Sequence, residues 1–168
     1  MTGLLADDER VAAAWAALAD VPDPEVPAIS ICDLGIVREV SAQGAALQVV
    51  LTPTYSGCPA TEVIQASVQL ALLQAGLGPV QITQRLAPAW TTDWISEAGR
   101  GKLREYGIAP PAALAAGEHS IHIRPPGLHC PRCGSAHTER LSAFGSTACK
   151  ALHRCLDCRE PFEYFKPL

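Results

Sequence analysis

The sequence predicts two units: an α+β domain, with a small three-stranded sheet and helices on one face, and a smaller C-terminal unit closed around a metal. Three observations predict this. Segments with helical or strand periodicity follow one another as helix, hairpin, helix, strand and helix. Hydrophobic residues make up 48% of the chain, which suits a packed core. The 7 cysteines include two C-x-x-C pairs near the C-terminus.

The first predicted elements are a helix and a hairpin. Residues 7–19 have helical periodicity, and Asp7 is placed to cap the positive end of that helix. Residues 36–40 and 45–51 have strand character, and Gln43-Gly44 supplies the turn between them. We expect these two strands to pair.

A helix, a strand and a further helix follow. Residues 60–74 carry apolar side chains towards one side at helical spacing, and residues 80–86 alternate as a third strand. A third helix is expected from about residue 92 to 106. Trp90 and Trp94 are either large core residues or a cover over the turn that contains Cys58.

A proline-rich loop at residues 21–27 carries the polar side chains Asp23 and Glu25. Proline restricts the backbone, so the loop either positions the two carboxylates or is a rigid surface turn. Cys32 follows in an apolar segment, and we expect it to be packed in the core.

The turn from Thr52 to Pro59 connects the second strand to the second helix. Pro59 suits the first helical position, which makes Cys58 the expected N-cap, and the positive helix end should then lower the pKa of its thiol. Gly57 allows the backbone to bend there. Cys58 is therefore a candidate functional thiol, and the alternative is a buried structural cysteine.

The two C-x-x-C pairs, Cys130/Cys133 and Cys155/Cys158, predict a zinc ribbon. They are separated by 21 residues, and two such turns bring four thiolates into the tetrahedron that Zn²⁺ prefers. Four protein ligands leave no open coordination position, so the site should be structural. A segment of this size has too little core to fold without a metal.

Alternatives for the same cysteines remain open. They could form disulfides, a redox pair or an iron site of the rubredoxin type, and nearby residues could replace a ligand. The replacement candidates are Cys149, His129, His137 and His153. Phe162 and Tyr164 share one face of a strand, with Phe165 on the other, and should form the core of this small unit.

The proline-rich linker 124–127 predicts domains at residues 1–124 and 125–168. The charges of these two domains indicate which kinds of partner the chain can bind. The first has 7 basic and 13 acidic side chains, net −6, and the second has 6 basic and 4 acidic, net +2. An acidic chain does not favour nucleic-acid binding, whereas the positive second domain suits docking on an acidic protein.

The N-terminus has neither a basic start nor an apolar segment typical of a signal peptide. No apolar run approaches the length of about 20 residues that a bilayer requires. Together with unpaired, metal-type cysteines, this predicts a cytoplasmic protein that does not enter a membrane.

The motifs resemble those of the metal–sulfur cluster assembly domain, which implies a small α+β layer up to about residue 86. That resemblance rests on Asp23-Pro24-Glu25, Asp33-Leu34-Gly35-Ile36-Val37, Thr52-Pro53-Thr54 and Gly57-Cys58-Pro59. Nearly the whole chain is also similar to the D-subunit family of bacterial phenylacetyl-CoA epoxidases. The later motifs are Leu86-Ala87-Pro88-Ala89-Trp90, Phe144-Gly145-Ser146-Thr147-Ala148-Cys149-Lys150 and Glu160-Pro161-Phe162.

The resemblance implies an accessory factor of phenylacetate catabolism rather than an enzyme. It implies that the chain helps to mature or repair an iron–sulfur or di-iron centre, with the oxygenase or reductase subunits of the epoxidase as partners. It further implies that Cys58 is the functional thiol, supported by Asp23, Glu25, Thr52 and Thr54. Because an iron–sulfur cluster normally takes four thiolates, iron here would be transient and shared, across a homodimer or with a client.

Two other functions stay open. An enzyme could use Cys58 as a nucleophile, but all 5 histidines lie at position 119 or later, so a histidine base would be His119 or His122. An adaptor built on the zinc ribbon would bind a protein without transferring metal.

Overall fold

In the computed structural model, residues 6–111 and 127–167 are described, and the chain divides into two compact units, Met1–Trp90 and Thr91–Leu168. We call them the N-terminal unit and the C-terminal unit. None of the described helices has the length and apolar content needed to cross a bilayer.

The N-terminal unit has the predicted α+β architecture. Its elements are α1 (Asp7–Ala19), β1 (Val37–Gln43), β2 (Ala46–Leu51), α2 (Thr61–Gln74) and β3 (Val80–Gln84). The sheet order is β1-β2-β3, with β1 antiparallel and β3 parallel to β2. A parallel pair needs a crossover connection, and α2 supplies it.

The core of this unit lies between the sheet and the two helices. Leu47 and Val49 of β2 are fully buried, and α2 buries Ile64, Val68 and Leu72 at four-residue spacing. Helix α1 packs against β1 and α2, and α2 packs against β3. Both helices therefore cover one face of a three-stranded sheet, as predicted.

Several element ends differ from the prediction. Ala6, not Asp7, is the N-cap of α1, and its backbone N–H donates to the Glu9 carboxylate at 3.1 Å. Strand β1 continues to Gln43 because its pairing with β2 continues to Ala46. Strand β3 ends at Gln84 rather than at residue 86.

The C-terminal unit contains a 3-10 turn (Thr92–Trp94), α3 (Glu97–Glu105), β4 (Ile108–Ala109), β5 (Thr138–Ser142), β6 (Lys150–Cys155) and β7 (Pro161–Phe165). The sheet order is β4-β7-β6-β5, with β4 parallel to β7 and the other pairs antiparallel. The predicted helix 92–106 is interrupted because Ile95 is extended and Ser96 caps α3, accepting the Gly99 N–H at 2.9 Å.

Residues 91–111, which composition assigned to the first domain, belong to the C-terminal unit. Strand β4 pairs with β7, and the buried Arg100 guanidinium donates to the carbonyl oxygens of Thr92 and Pro111 at 2.8 and 2.6 Å. The compact units divide after Trp90, whereas the predicted boundary between residues 124 and 125 lies outside the described residues. A two-residue strand is too short to be recognised by periodicity.

Candidate functional site

Cys58 lies in the turn between β2 and α2, as predicted, but it is not the N-cap of the helix. Helix α2 begins at Thr61, and Ala60 occupies the N-cap position. The Cys58 carbonyl oxygen accepts the Thr61 N–H at 3.2 Å, and the Cys58 N–H donates to the Tyr55 carbonyl oxygen at 3.3 Å. An extra turn thus separates Cys58 from the helix, and the prediction that Cys58 caps α2 is wrong.

The turn leaves Cys58 covered among exposed neighbours. Cys58 is 9% exposed, whereas Ser56, Gly57 and Pro59 are exposed. Gly57 has a φ of +84°, a left-handed conformation that favours glycine. A partner can therefore approach within one residue of the thiol on either side.

Asp23 holds the proline-rich loop together. Its side chain is buried, and Oδ1 accepts the N–H groups of Glu25 and Val26 at 2.9 and 2.8 Å. Its own N–H donates to the Ile29 carbonyl oxygen at 2.9 Å. The carboxylate acts as a turn cap within its own loop, a role that sequence reasoning did not assign to it.

The other predicted support residues differ in exposure. Thr52 is buried and donates its N–H to the Ile36 carbonyl oxygen at 2.8 Å, which continues the hairpin, while Glu25 and Thr54 are half-buried. Within residues 6–111 and 127–167, no group of three or more Cys, His, Asp or Glu ligand atoms surrounds Cys58. Among the described residues, Cys58 is therefore not part of a group that could enclose a metal ion.

Trp90 anchors the Asp33-Leu34-Gly35 turn. The indole is 4% exposed, and Nε1–H donates to the Leu34 carbonyl oxygen at 2.8 Å. Cys32, in the same turn, is half-buried, and burial together with the Asp33 carboxylate raises its pKa to about 11. The Cys32 thiol is thus kept protonated.

The four predicted zinc ligands converge in the C-terminal unit. The sulfurs of Cys130, Cys133, Cys155 and Cys158 all lie within 4.8 Å of one another. The Sγ atoms of Cys130 and Cys158 are 3.7 Å apart, and those of Cys133 and Cys155 are 3.5 Å apart. Four Zn–S bonds of about 2.3 Å in a tetrahedron place sulfurs about 3.8 Å apart, so these residues fit a Zn²⁺ ion.

The surroundings of these thiols shift their pKa values in opposite directions. Backbone N–H groups of Cys158 and Asp157 lower the pKa of Cys155 to about 6. The Glu160 N–H lowers the pKa of Cys158, but burial and the neighbouring sulfurs outweigh it and raise that pKa to about 12. Four thiolates this close need a cation, which is what a bound metal supplies.

Two polar bridges join the two C-x-x-C turns. The Ser135 hydroxyl donates to Asp157, and His137 Nδ1 lies 3.3 Å from the other oxygen of the same carboxylate. On the second bridge, Arg132 lies 2.9 Å from Glu160. Sequence reasoning missed both, because hydrogen bonds between distant turns leave no periodic pattern.

The alternative ligands do not join the cluster. His129 is exposed, Cys149 is buried with Sγ 3.0 Å from Thr147 Oγ1, and His137 binds Asp157. His153 is buried against Phe162 and Tyr164, and its Nδ1 has no hydrogen-bond partner among the described residues. Burial and Arg140 lower the pKa of His153. The buried residues Phe162 and Tyr164 belong to the hydrophobic core of the C-terminal unit, together with Ala109, Leu128, Cys130 and Cys155.

Both the N-terminal and the C-terminal part of the chain match known protein families. Residues 11–83 match the family model described as "Iron-sulfur cluster assembly protein", and residues 116–166 match "PaaD zinc beta ribbon domain". A protein of Escherichia coli (strain K12), described as the D subunit of a "Putative 1,2-phenylacetyl-CoA epoxidase", is 54% identical over 90% of each chain. The chain belongs to this D-subunit family.

A solved structure supports the α+β fold. The DUF59 domain of unknown function from Bacillus anthracis matches with a TM-score of 0.54 at 24% identity, covering 58% of this chain and 93% of its own. The α+β fold and the C-terminal zinc ribbon of this D-subunit family member are both as predicted.

Proposed function

We propose that this D-subunit family member is a non-catalytic, cytoplasmic accessory factor of a phenylacetyl-CoA epoxidase. It helps to mature or repair an iron–sulfur or di-iron centre of that system. Family membership and the iron–sulfur cluster assembly domain support the role. The structural observation that carries it is the lone Cys58 thiol, held in an exposed turn outside any three-ligand group of the described residues.

The cargo that Cys58 binds is iron or an iron–sulfur cluster. A cluster normally takes four thiolates, and one thiol cannot retain it. The remaining ligands must come from another chain, so binding is transient. That property suits delivery and removal of iron better than permanent storage.

A second copy of the chain is one source of those ligands. Four apolar side chains form an exposed stripe on α2: Val63, Ala66, Leu70 and Leu73. Their spacing of three, four and three residues is that of a coiled-coil seam, and the stripe begins five residues after Cys58. Parallel pairing of two α2 helices places both Cys58 turns at the same end. If so, Leu70→Glu converts a dimer to a monomer, as measured by light scattering.

The C-terminal unit is, in this proposal, the docking unit for the client. Its four-sulfur cluster leaves no position for a substrate. Residues 125–168 carry a net charge of +2 in a chain whose net charge is −4, so an acidic client surface is complementary to them. Oxygenase and reductase subunits are the candidate clients.

Two alternatives make different demands on Cys58. A thiol enzyme needs a base close to Cys58, and the candidates His119 and His122 lie outside the described residues. A pure adaptor does not need the thiol at all. The accessory factor needs the thiol but no base.

Deletion of the chain in a producing host tests the proposal. We expect normal amounts of oxygenase and reductase, but a loss of iron from one of them and a matching loss of epoxidase activity. The component that lacks iron is then the client. Full iron content and full activity in both would exclude a maturation or repair role.

A further inference from the structure

The loop between β5 and β6, residues 143–149, displays an aromatic side chain. Phe144 is 64% exposed, more than any other large hydrophobic side chain in the described part of the chain. Leu141, 49% exposed, precedes it at a β-bulge, where the pairing steps from Arg140↔His153 to Ser142↔Leu152. Bulges re-aim side chains, so two apolar groups face solvent within four residues.

The Glu163 carboxylate on β7 holds the loop in place through a hydrogen bond and an ion pair. Glu163 accepts the Ser146 N–H at 2.5 Å and lies 2.9 Å from the Lys150 ammonium, which is 2% exposed. The Gly145 N–H donates to the Lys150 carbonyl oxygen at 2.8 Å. A Cβ atom at Gly145 would lie 2.5 Å from the Glu163 carboxylate, so an alanine there displaces either that carboxylate or the loop.

Lys166 holds the start of the loop. Its Nζ donates to the Ala143 carbonyl oxygen at 3.1 Å and lies 4.6 Å from the centre of the Phe144 ring. Its backbone N–H donates to the Cys149 carbonyl oxygen at 3.0 Å. Both ends of the loop are therefore tied to the chain segment that carries Glu163.

This arrangement fixes the shape of the loop without burying Phe144. The ion pair between buried Lys150 and half-buried Glu163 is costly to desolvate, and it supports a surface loop rather than the core cluster. An exposed phenylalanine gains nothing from folding alone. Rigid aromatic side chains are, however, typical anchors of protein interfaces, because little conformational entropy is lost when they bind.

We propose that residues 141–144 form a preformed docking anchor, in which Phe144 enters an apolar pocket bordered by carboxylates on a partner protein of the epoxidase. Charge supports an acidic rim, because Lys166 lies against the ring and Arg140 is exposed on the same strand as Leu141. This inference rests on the proposed docking role of the C-terminal unit and assigns the contact to one loop.

The test measures binding of the full zinc-loaded chain to immobilised purified oxygenase complex and, separately, to purified reductase. Phe144→Ala should weaken binding to the client at least about tenfold. Tyr106→Ala, which removes another exposed aromatic of the same unit, should change it less than about twofold. Arg140→Glu should weaken it several-fold, most at low salt.

Gly145→Ala tests whether the fixed shape of the loop matters, because it disturbs the contact between the loop and Glu163 while Phe144 is retained. It should weaken binding to a degree similar to Phe144→Ala, with zinc content unchanged. Binding of Phe144→Ala within twofold of wild type overturns the anchor and leaves the proposed function intact. If the wild-type chain binds neither the oxygenase complex nor the reductase, the docking role and the anchor are both overturned. If Arg140→Glu binds as tightly as wild type or more tightly, the acidic rim is overturned.

Discussion

The two sulfur sites of this chain differ in how many ligands they bring together. In the C-terminal unit, four cysteine sulfurs lie within 4.8 Å of one another, supported by backbone N–H groups and two polar bridges. In the N-terminal unit, Cys58 lies in a turn with exposed neighbours, and within residues 6–111 and 127–167 it joins no group of three or more possible metal ligands. A closed set retains a metal and stabilises a fold, whereas a lone thiol can act on a metal only together with another molecule.

The largest expected effect comes from opening the closed site. Cys155→Ser should abolish the one tightly bound zinc per chain and unfold the C-terminal unit, because its small core includes two of the ligands. The N-terminal unit should keep its structure. Elemental analysis and amide hydrogen exchange measure both effects, and Cys149→Ser, outside the cluster, is the matched control. Iron instead of zinc in the wild-type chain would contradict the assignment.

Truncation sharpens the division between the two regions. A chain ending at Trp90 should fold cooperatively, whereas in a chain ending at residue 124 the segment 91–111 should be open to proteases. The reason is that β4, whose Ile108 is 4% exposed, loses its partner β7. Limited proteolysis and thermal unfolding distinguish the two chains. A stable, protected 1–124 chain would instead favour the boundary at the proline-rich linker.

A smaller effect tests whether Asp23 is structural. Asp23→Ala leaves the N–H groups of Glu25 and Val26 without their acceptor and should cost about 1–3 kcal/mol of unfolding free energy. Asp23→Asn keeps an acceptor oxygen and should cost less, and Glu25→Ala should change stability little. Urea unfolding at pH 7 measures all three. Equal stability of Asp23→Ala and wild type would show that the carboxylate serves something other than its loop.

The features predicted best from the sequence are those with a regular hydrophobic period or a short, fixed spacing between residues. Hydrophobic periodicity located α1, β2 and α2, and the two C-x-x-C pairs located the four-cysteine cluster. Features that depend on a single distant contact were predicted worse. Strand β4, for example, has two residues and forms only by pairing with β7. One local signal was also missed, because Ser96 accepts the Gly99 N–H and begins a new helix where one continuous helix was expected.

The site around Cys58 shows the same limit. Pro59 fits the first turn of a helix, but the chain makes a separate turn there and begins α2 at Thr61. The hydrogen bond of Trp90 to Leu34 joins distant parts of the chain, so no spacing rule encodes it. The Asp23 turn cap is local, by contrast, and an Asp followed by a turn is a pattern that the sequence does contain.

In the proposed function, Cys58 is needed as a soft metal ligand rather than for the fold, and complementation with Cys58→Ser separates these two roles. In a host that lacks the chain, wild type and Cys149→Ser should restore epoxidase activity and client iron content. Cys58→Ser, nearly isosteric but a poor ligand for soft metals, should stay folded, retain its zinc and bind its client, yet restore neither. Full restoration of both by Cys58→Ser would show that the thiol carries no metal and that the turn is a structural element only.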